Sequence, residues 1–135
     1  MIVDSSAILA LMLREPSAEA VAAAVAAALA QSERVAISAA TLVEASVVAD
    51  SPRDPVRSAR FDAIIEGFGA EIVPVTATQA ALARQAYRDY GRGSGHPARL
   101  NFGDCFSYAL ARERREPLLY VGDDFARTDI ASALG

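Results

Sequence analysis

Four short β-favouring runs, each separated from the next by at least one helical stretch, constrain this chain more than any other feature. Met1-Ile2-Val3 is the first run and stops at Asp4; Ser5-Ser6 then offers caps for a helix from Ala7 to about Leu13. Glu15-Pro16-Ser17 breaks that helix, and Ser17 caps a second one through Gln31, whose Val21, Val25 and Leu29 give the Ala-rich tract an apolar stripe. Residues 34–38 (RVAIS) form the second run and residues 39–50 a third helix. A loop with two prolines (51–55) leads to a helix over 56–68, which Gly69 stops. Residues 71–75 (EIVPV) are the third run, with Pro74 marking an edge or a strand end. Thr76 or Thr78 caps a long helix to about Tyr90, residues 91–97 are the most loop-like stretch, and Asn101 caps a helix from Phe102 to about Arg115. Leu118 to Val121 is the fourth run, ending at Gly122-Asp123-Asp124 before a short terminal helix or turn. Strands separated by helices pair in parallel through crossovers, so the expected fold is one three-layer α/β domain over residues 1–135, a parallel sheet of four to five strands flanked by helices.

Composition narrows the chemistry. Hydrophobic residues make up 53% of the 135 and charged residues 22%, enough to bury a core and to exclude disorder. All 13 basic residues are Arg, so mechanisms that need a Lys nucleophile, a Schiff base or a P-loop lysine are excluded. The single Cys105 and single His96 cannot build a Cys/His zinc site or a disulfide framework, and fit core packing and a loop position respectively. Asp4 stands where a secretory segment carries positive charge, and Arg14, Glu15 and Pro16 cut the first apolar run too short to span a membrane. A soluble cytoplasmic protein is expected.

In open parallel sheets the reactive site lies outside the carboxyl ends of the strands. Asp4 directly follows the first strand, Asp123 and Asp124 follow the fourth, Asp104 sits in the first turn of the helix feeding it, and Glu44 lies mid-helix after the second. Singly, Asp4 reads as a helix cap, Asp104 as the partner of an Asn101 cap and the doublet as a solvated turn. Glu44 is different: its helical neighbours are Ala40, Thr41, Val47 and Val48, which puts a carboxylate on an apolar stripe unless an Arg partner keeps it partly exposed. Gathered at one end of a sheet, these acids repel and call for a cation. An all-oxygen donor set suits Mg²⁺ or Mn²⁺, and Mg²⁺ completes its shell with substrate phosphate. Receiver domains and haloacid-dehalogenase-type phosphatases both need a Lys, and the latter a second Asp where Ser6 stands. A nuclease-type site remains, in which metal-activated water attacks a phosphodiester.

Over essentially its whole length the chain resembles PIN-domain ribonucleases of the VapC toxin type. The resemblance rests on Ile2-Val3-Asp4-Ser5-Ser6-Ala7, on Thr41-Leu42-Val43-Glu44-Ala45, on residues 100–111 (LNFGDCFSYALA), and on residues 118–125 (LLYVGDDF) with Thr128-Asp129-Ile130 behind them. It implies a Mg²⁺-dependent endoribonuclease, the toxin of a type II toxin–antitoxin pair, acting on structured RNA such as tRNA. It further implies Asp4 and Asp104 as metal ligands, Glu44 as the third acid of the pocket and Asp123 as the fourth, with Asp124 and Ser6 as accessories. A VapB-type antitoxin and a homodimer are implied partners, with the apolar first helix (Ile8, Leu9, Met12, Leu13) a surface for either. Arg84, Arg88, Arg92 and Arg99 against Asp89 give a local charge of 4 − 1 = +3, a candidate phosphate-contacting rim in a chain of net charge −4. Arg53, Arg57 and Arg60, and Arg112, Arg114 and Arg115, are further basic groups that also read as solvated helix faces. The rival readings are a PIN-like module that binds RNA or protein without cutting and a DNA nuclease of related fold.

Overall fold

The computed structural model describes residues 1–135. In chain order it contains β1 (Ile2–Val3), α1 (Ser5–Met12), α2 (Ala18–Ala30), β2 (Ala36–Ser38), α3 (Ala39–Asp50), α4 (Pro55–Phe68), β3 (Glu71–Val73), α5 (Ala77–Tyr90), α6 (Asp104–Arg114), β4 (Leu118–Leu119) and a 3-10 turn, Phe125–Arg127. The four strands form one parallel sheet in the order β3-β2-β1-β4. A single bridge between Leu118 and Ser132 adds a one-residue fifth pairing beyond β4.

Alternation along the strands divides the core in two, because successive side chains in a strand point to opposite faces. Val3, Ile37 and Leu119 face a layer built by α1 to α4, packing with Ile8, Val21, Val25, Phe61 and Phe68. Their neighbours Ile2, Ala36 and Leu118 face α5 and α6, packing with Ala83, Leu100, Tyr108 and Leu110. The result is three layers, helix, sheet, helix. Strand order advances outward from β1 to β2 to β3 and then returns to place β4 on the other side of β1. That reversal puts the topological switch point at the carboxyl ends of β1 and β4, the position where such sheets bind ligands.

Local chemistry explains most boundaries. Pro55 opens α4 behind an Asp54 cap, Gly69 closes it in the left-handed conformation, and Thr76 rather than Thr78 caps α5 through Gln79 N–H (3.2 Å). Several boundaries differ from expectation. Asp4, not Ser5 or Ser6, caps α1, which begins at Ser5; Ser17 makes no side-chain cap to α2; and β3 and β4 end at Val73 and Leu119, before Pro74 and Val121. α6 starts at Asp104, two residues late, because Phe102-Gly103 forms a turn. The first helix is not a free apolar surface, since Ile8 and Met12 are buried in the core and only Leu13 of the four residues is exposed. No helix is long and apolar enough to cross a membrane.

Ile37 is fully buried between both neighbouring strands, whereas Val56 on α4 is 77% exposed. Ile37→Ala is expected to cost about 2–5 kcal/mol of unfolding free energy and Val56→Ala within about 0.5 kcal/mol of none, measured by urea denaturation.

Candidate active site

Asp4 leaves the end of β1 in an extended conformation (φ −86°, ψ 158°) and turns its carboxylate back over the start of α1. Its Oδ2 accepts from the Ser6 backbone N–H (3.0 Å) and from the Ser6 hydroxyl (2.6 Å), and its Oδ1 accepts from the Ser107 hydroxyl (2.6 Å). Ser107 has only one proton and gives it to Asp4, so the Thr41 hydroxyl, 3.0 Å away, donates to Ser107. Ser6 Oγ in turn accepts from Val121 N–H (3.1 Å) beyond β4. One carboxylate is therefore fixed by α1, α6, α3 and the β4 exit together.

Asp104 and Asn101 cap the start of α6 reciprocally: Asp104 N–H donates to Asn101 Oδ1 (2.9 Å) and Asn101 N–H donates to Asp104 Oδ2 (3.0 Å). Oδ1 is left uncommitted. The Asp104 carboxyl is pushed up to about 7, mainly by burial and also by the charges of Asp4, Asp124 and Glu44, with the Asn101 N–H opposing the rise.

Glu44 lies at the edge of the α3 core face, which runs through Thr41, Ala45 and Ala49 rather than through Val47 and Val48, both exposed. The stripe differs from expectation because small residues meet the sheet and the valines turn outward. No Arg pairs with Glu44. Its Oε1 is buried and has no hydrogen-bond partner. Burial raises its pKa, the nearby Ser5 hydroxyl lowers it and the Asp4 charge raises it. The carboxylate occupies the space a side chain at Gly103 would fill: a Cβ there would overlap Oε2 and stand 2.9 Å from Oε1. Gly103 has helical backbone angles (φ −64°, ψ −40°), so space, not conformation, demands a glycine. At the β4 exit Asp123 and Asp124 are both exposed, and Asp124 is the one whose charge bears on Asp104.

A family model described as PIN domain matches residues 1–131. The chain is 54% identical over 134 residues to VapC ribonuclease Mb0625 of Mycobacterium bovis and, equally, to ribonuclease VapC28 of Mycobacterium tuberculosis, covering 99% of this chain and 98% of each relative. It is 47% identical over 133 residues to ribonuclease VapC42 of M. tuberculosis, covering 98% of both. The chain belongs to the VapC-type PIN-domain family. The M. tuberculosis VapC20 crystal structure, described as a sarcin–ricin loop cleaving toxin, superposes with a TM-score of 0.67 at 18% identity, over 96% of this chain and 95% of that one, and shares its fold.

Within this VapC-type fold the acids suit a hard divalent cation. The buried, unpartnered Oε1 of Glu44, whose carboxylate fills the space left by Gly103, and the uncommitted Oδ1 of Asp104 are oxygens that a cation could engage. No three His, Cys, Asp or Glu side chains converge into a complete cage. A cation here would take one or two of these carboxylates and complete its shell with water or phosphate, a donor set that Mg²⁺ accepts. Thr41, Ser107, Ser5 and Gly103 belong to the site although sequence patterning gave them no role. For two of them a signal was available: Thr41 shares the α3 core face with Ala45 and Ala49, and Ser107 follows Asp104 by three residues on α6.

Ser107→Ala removes the α6 donor to Asp4, and a loss of about 10–100-fold in metal affinity is expected by titration calorimetry. Gly103→Ala is expected to displace Glu44 and raise the metal Kd, with little change in melting temperature. A carboxyl raised from 3.8 to about 7 in the fold favours folding while it keeps its proton, so its contribution is lost as pH rises from about 4 through about 7. In EDTA, wild type should therefore lose stability relative to Asp104→Asn across that window, read as a difference in urea midpoints.

Proposed function

We propose that this chain is a Mg²⁺-dependent endoribonuclease, the toxin of a type II toxin–antitoxin pair, hydrolysing phosphodiester bonds in structured RNA such as tRNA. The observation that carries the reading is that the charges of Asp4, Glu44 and Asp124, from separate segments, all bear on Asp104 near the carboxyl ends of β1 and β4, with Glu44 Oε1 buried and unpartnered. Asp4 and the free Oδ1 of Asp104 would hold the cation, Mn²⁺ substituting for Mg²⁺. A bound Mg²⁺ supplies charge neutralisation at the phosphoryl oxygens and makes water more acidic. The chain's own residues do the rest. Ser107, backed by Thr41, and Ser6 keep Asp4 from rotating away from the crevice. Glu44 completes the pocket as its third acid, placed to orient water or a second ion. Asp124 adds negative charge on the β4 side, with Asp123 beside it as the alternative fourth acid.

Arg84, Arg88, Arg92 and Arg99 are exposed and enter no ion pair, which leaves their guanidinium groups for RNA phosphates. By contrast, Arg112 is spent on Asp129 (2.8 Å) and Arg114 on Glu71 (2.9 Å). A VapB-type antitoxin is the proposed inhibitory partner, a homodimer the proposed assembly and the cytoplasm the proposed compartment.

Purified protein incubated with total tRNA or single-stranded DNA, in Mg²⁺ or EDTA, tests this. RNA should be cut only with Mg²⁺, and Asp4→Asn and Asp104→Asn should each lose at least ~100-fold in rate while remaining folded by circular dichroism. Cleavage of DNA alone supports a DNA nuclease instead, and cleavage of neither supports a binding module.

A further inference from the structure

Phe102 is the most exposed aromatic side chain, at 77%, and stands two residues before Asp104. It meets Phe106 edge-on, with ring centroids 5.0 Å apart and planes at 86°. The two rings form one wall of a cleft of about 290 Å³ between α5 and α6; Tyr87 and Arg84 line it from α5, with Ala83 and Cys105 completing it. The Cys105 thiol donates to the Asn101 carbonyl (3.3 Å), so it is already committed within the chain. The cleft thus presents aromatic surface and one guanidinium, with little other polar chemistry.

Phe102 and Tyr87 are both exposed and line the same cleft, so aromatic surface is open to a ligand there. Charge decides what binds. Arg84 belongs to the stretch with Arg88, Arg92 and Arg99, of local charge 4 − 1 = +3, and its acid, Asp89, accepts from Gln85 (3.1 Å). A second copy docked through this face would bring the same arginines against these. An RNA strand brings phosphates for the arginines and bases for the rings. Unpaired bases are characteristically recognised by stacking on aromatic or guanidinium planes. Phe102 precedes Asp104 by two residues where the chain enters α6, so the cleft wall and the carboxylate lie at the same end of that helix.

We propose that this cleft binds one unstacked RNA base beside the scissile phosphate, with Phe102 and Tyr87 as its stacking surfaces and Arg84 on an adjoining phosphate. The inference rests on the ribonuclease reading above. It assigns to the α5–α6 face the selection of single-stranded or flipped-out positions within a folded RNA.

The test uses the full chain carrying Asp4→Asn, with fluorescein-labelled hexauridylate and hexaadenylate as binding probes and 5-iodouridine hexamer as photo-cross-linker. Adducts are expected on Phe102, Phe106 or Tyr87 by peptide mapping. Adding Phe102→Ala or Tyr87→Ala should weaken binding of at least one hexamer about 10-fold by fluorescence anisotropy, within the range for one stacked base. Adducts confined to other surfaces, affinities unchanged in both variants, or no binding of either hexamer would overturn the proposal. So would a Phe102→Ala protein whose sedimentation changes from dimer to monomer, since the face would then be an interface between copies. Wild type that cuts tRNA while any of these holds removes the base cleft and leaves the ribonuclease reading standing; wild type inert on tRNA removes that reading itself.

Discussion

The hydrogen bond from Ser107 to Asp4 joins two parts of the chain 103 residues apart, and the site depends on it. Asp4 sits where β1 becomes α1, so its backbone belongs to the sheet, with Asp4 N–H donating to Leu119 C=O (2.9 Å), while its side chain serves as the cap of α1. Ser107 reaches it from α6 on the opposite face of the sheet, and Thr41 reaches Ser107 from α3. Both hydroxyls are buried. Buried hydroxyls without partners are costly, so their only satisfied arrangement is the one that points Asp4 into the crevice. The two core layers are locked to each other through the same atoms that the proposed chemistry uses.

That rigidity sets up an electrostatic debt. Asp104 and Glu44 are both raised mainly by burial, and each is pushed further by a neighbouring acid. A fold selected for stability alone would replace Glu44 with an alanine like Ala45 and Ala49 along the same helix, and would have no reason to keep Gly103 bare. On the proposed function, the repulsion of these carboxylates would become affinity for a divalent cation, a trade of metal-free stability for binding.

Much of this was legible in sequence because the relevant signals are local. The parallel α/β architecture followed from strands separated by helices, and the acids were visible as carboxylates at strand ends. The Asn101 and Asp104 caps are both realised, yet Asp104 remains available through its second oxygen, so cap and ligand were never exclusive readings. What escaped depends on contacts between distant segments. The periodicity around Glu44 pointed at Val47 and Val48, but α3 meets the sheet through smaller residues, and residue type alone cannot say which side of an amphipathic stripe is covered. Gly103 could not be read at all, since its meaning lies in a side chain 59 positions earlier. The resemblance favoured Asp123 over Asp124 as the fourth acid, whereas it is the charge of Asp124, in the turn following β4, that bears on Asp104.

The distribution of arginines resolves the oddity of an acidic protein with a nucleic-acid chemistry. On α6, Arg112 and Arg114 close onto Asp129 and Glu71 and so contribute to the surface of the fold rather than to its outward field. Along α5 and the glycine-rich loop, the arginines outnumber the single Asp89 and carry no ion pair. Net charge of −4 therefore describes a molecule divided into an acidic crevice, which a cation would neutralise, and a basic flank that remains positive beside it. A polyanion would approach along that flank, and on the proposed function Phe102, which in the chain separates the glycine-rich loop from Asp104, would lie on its way to the carboxylates.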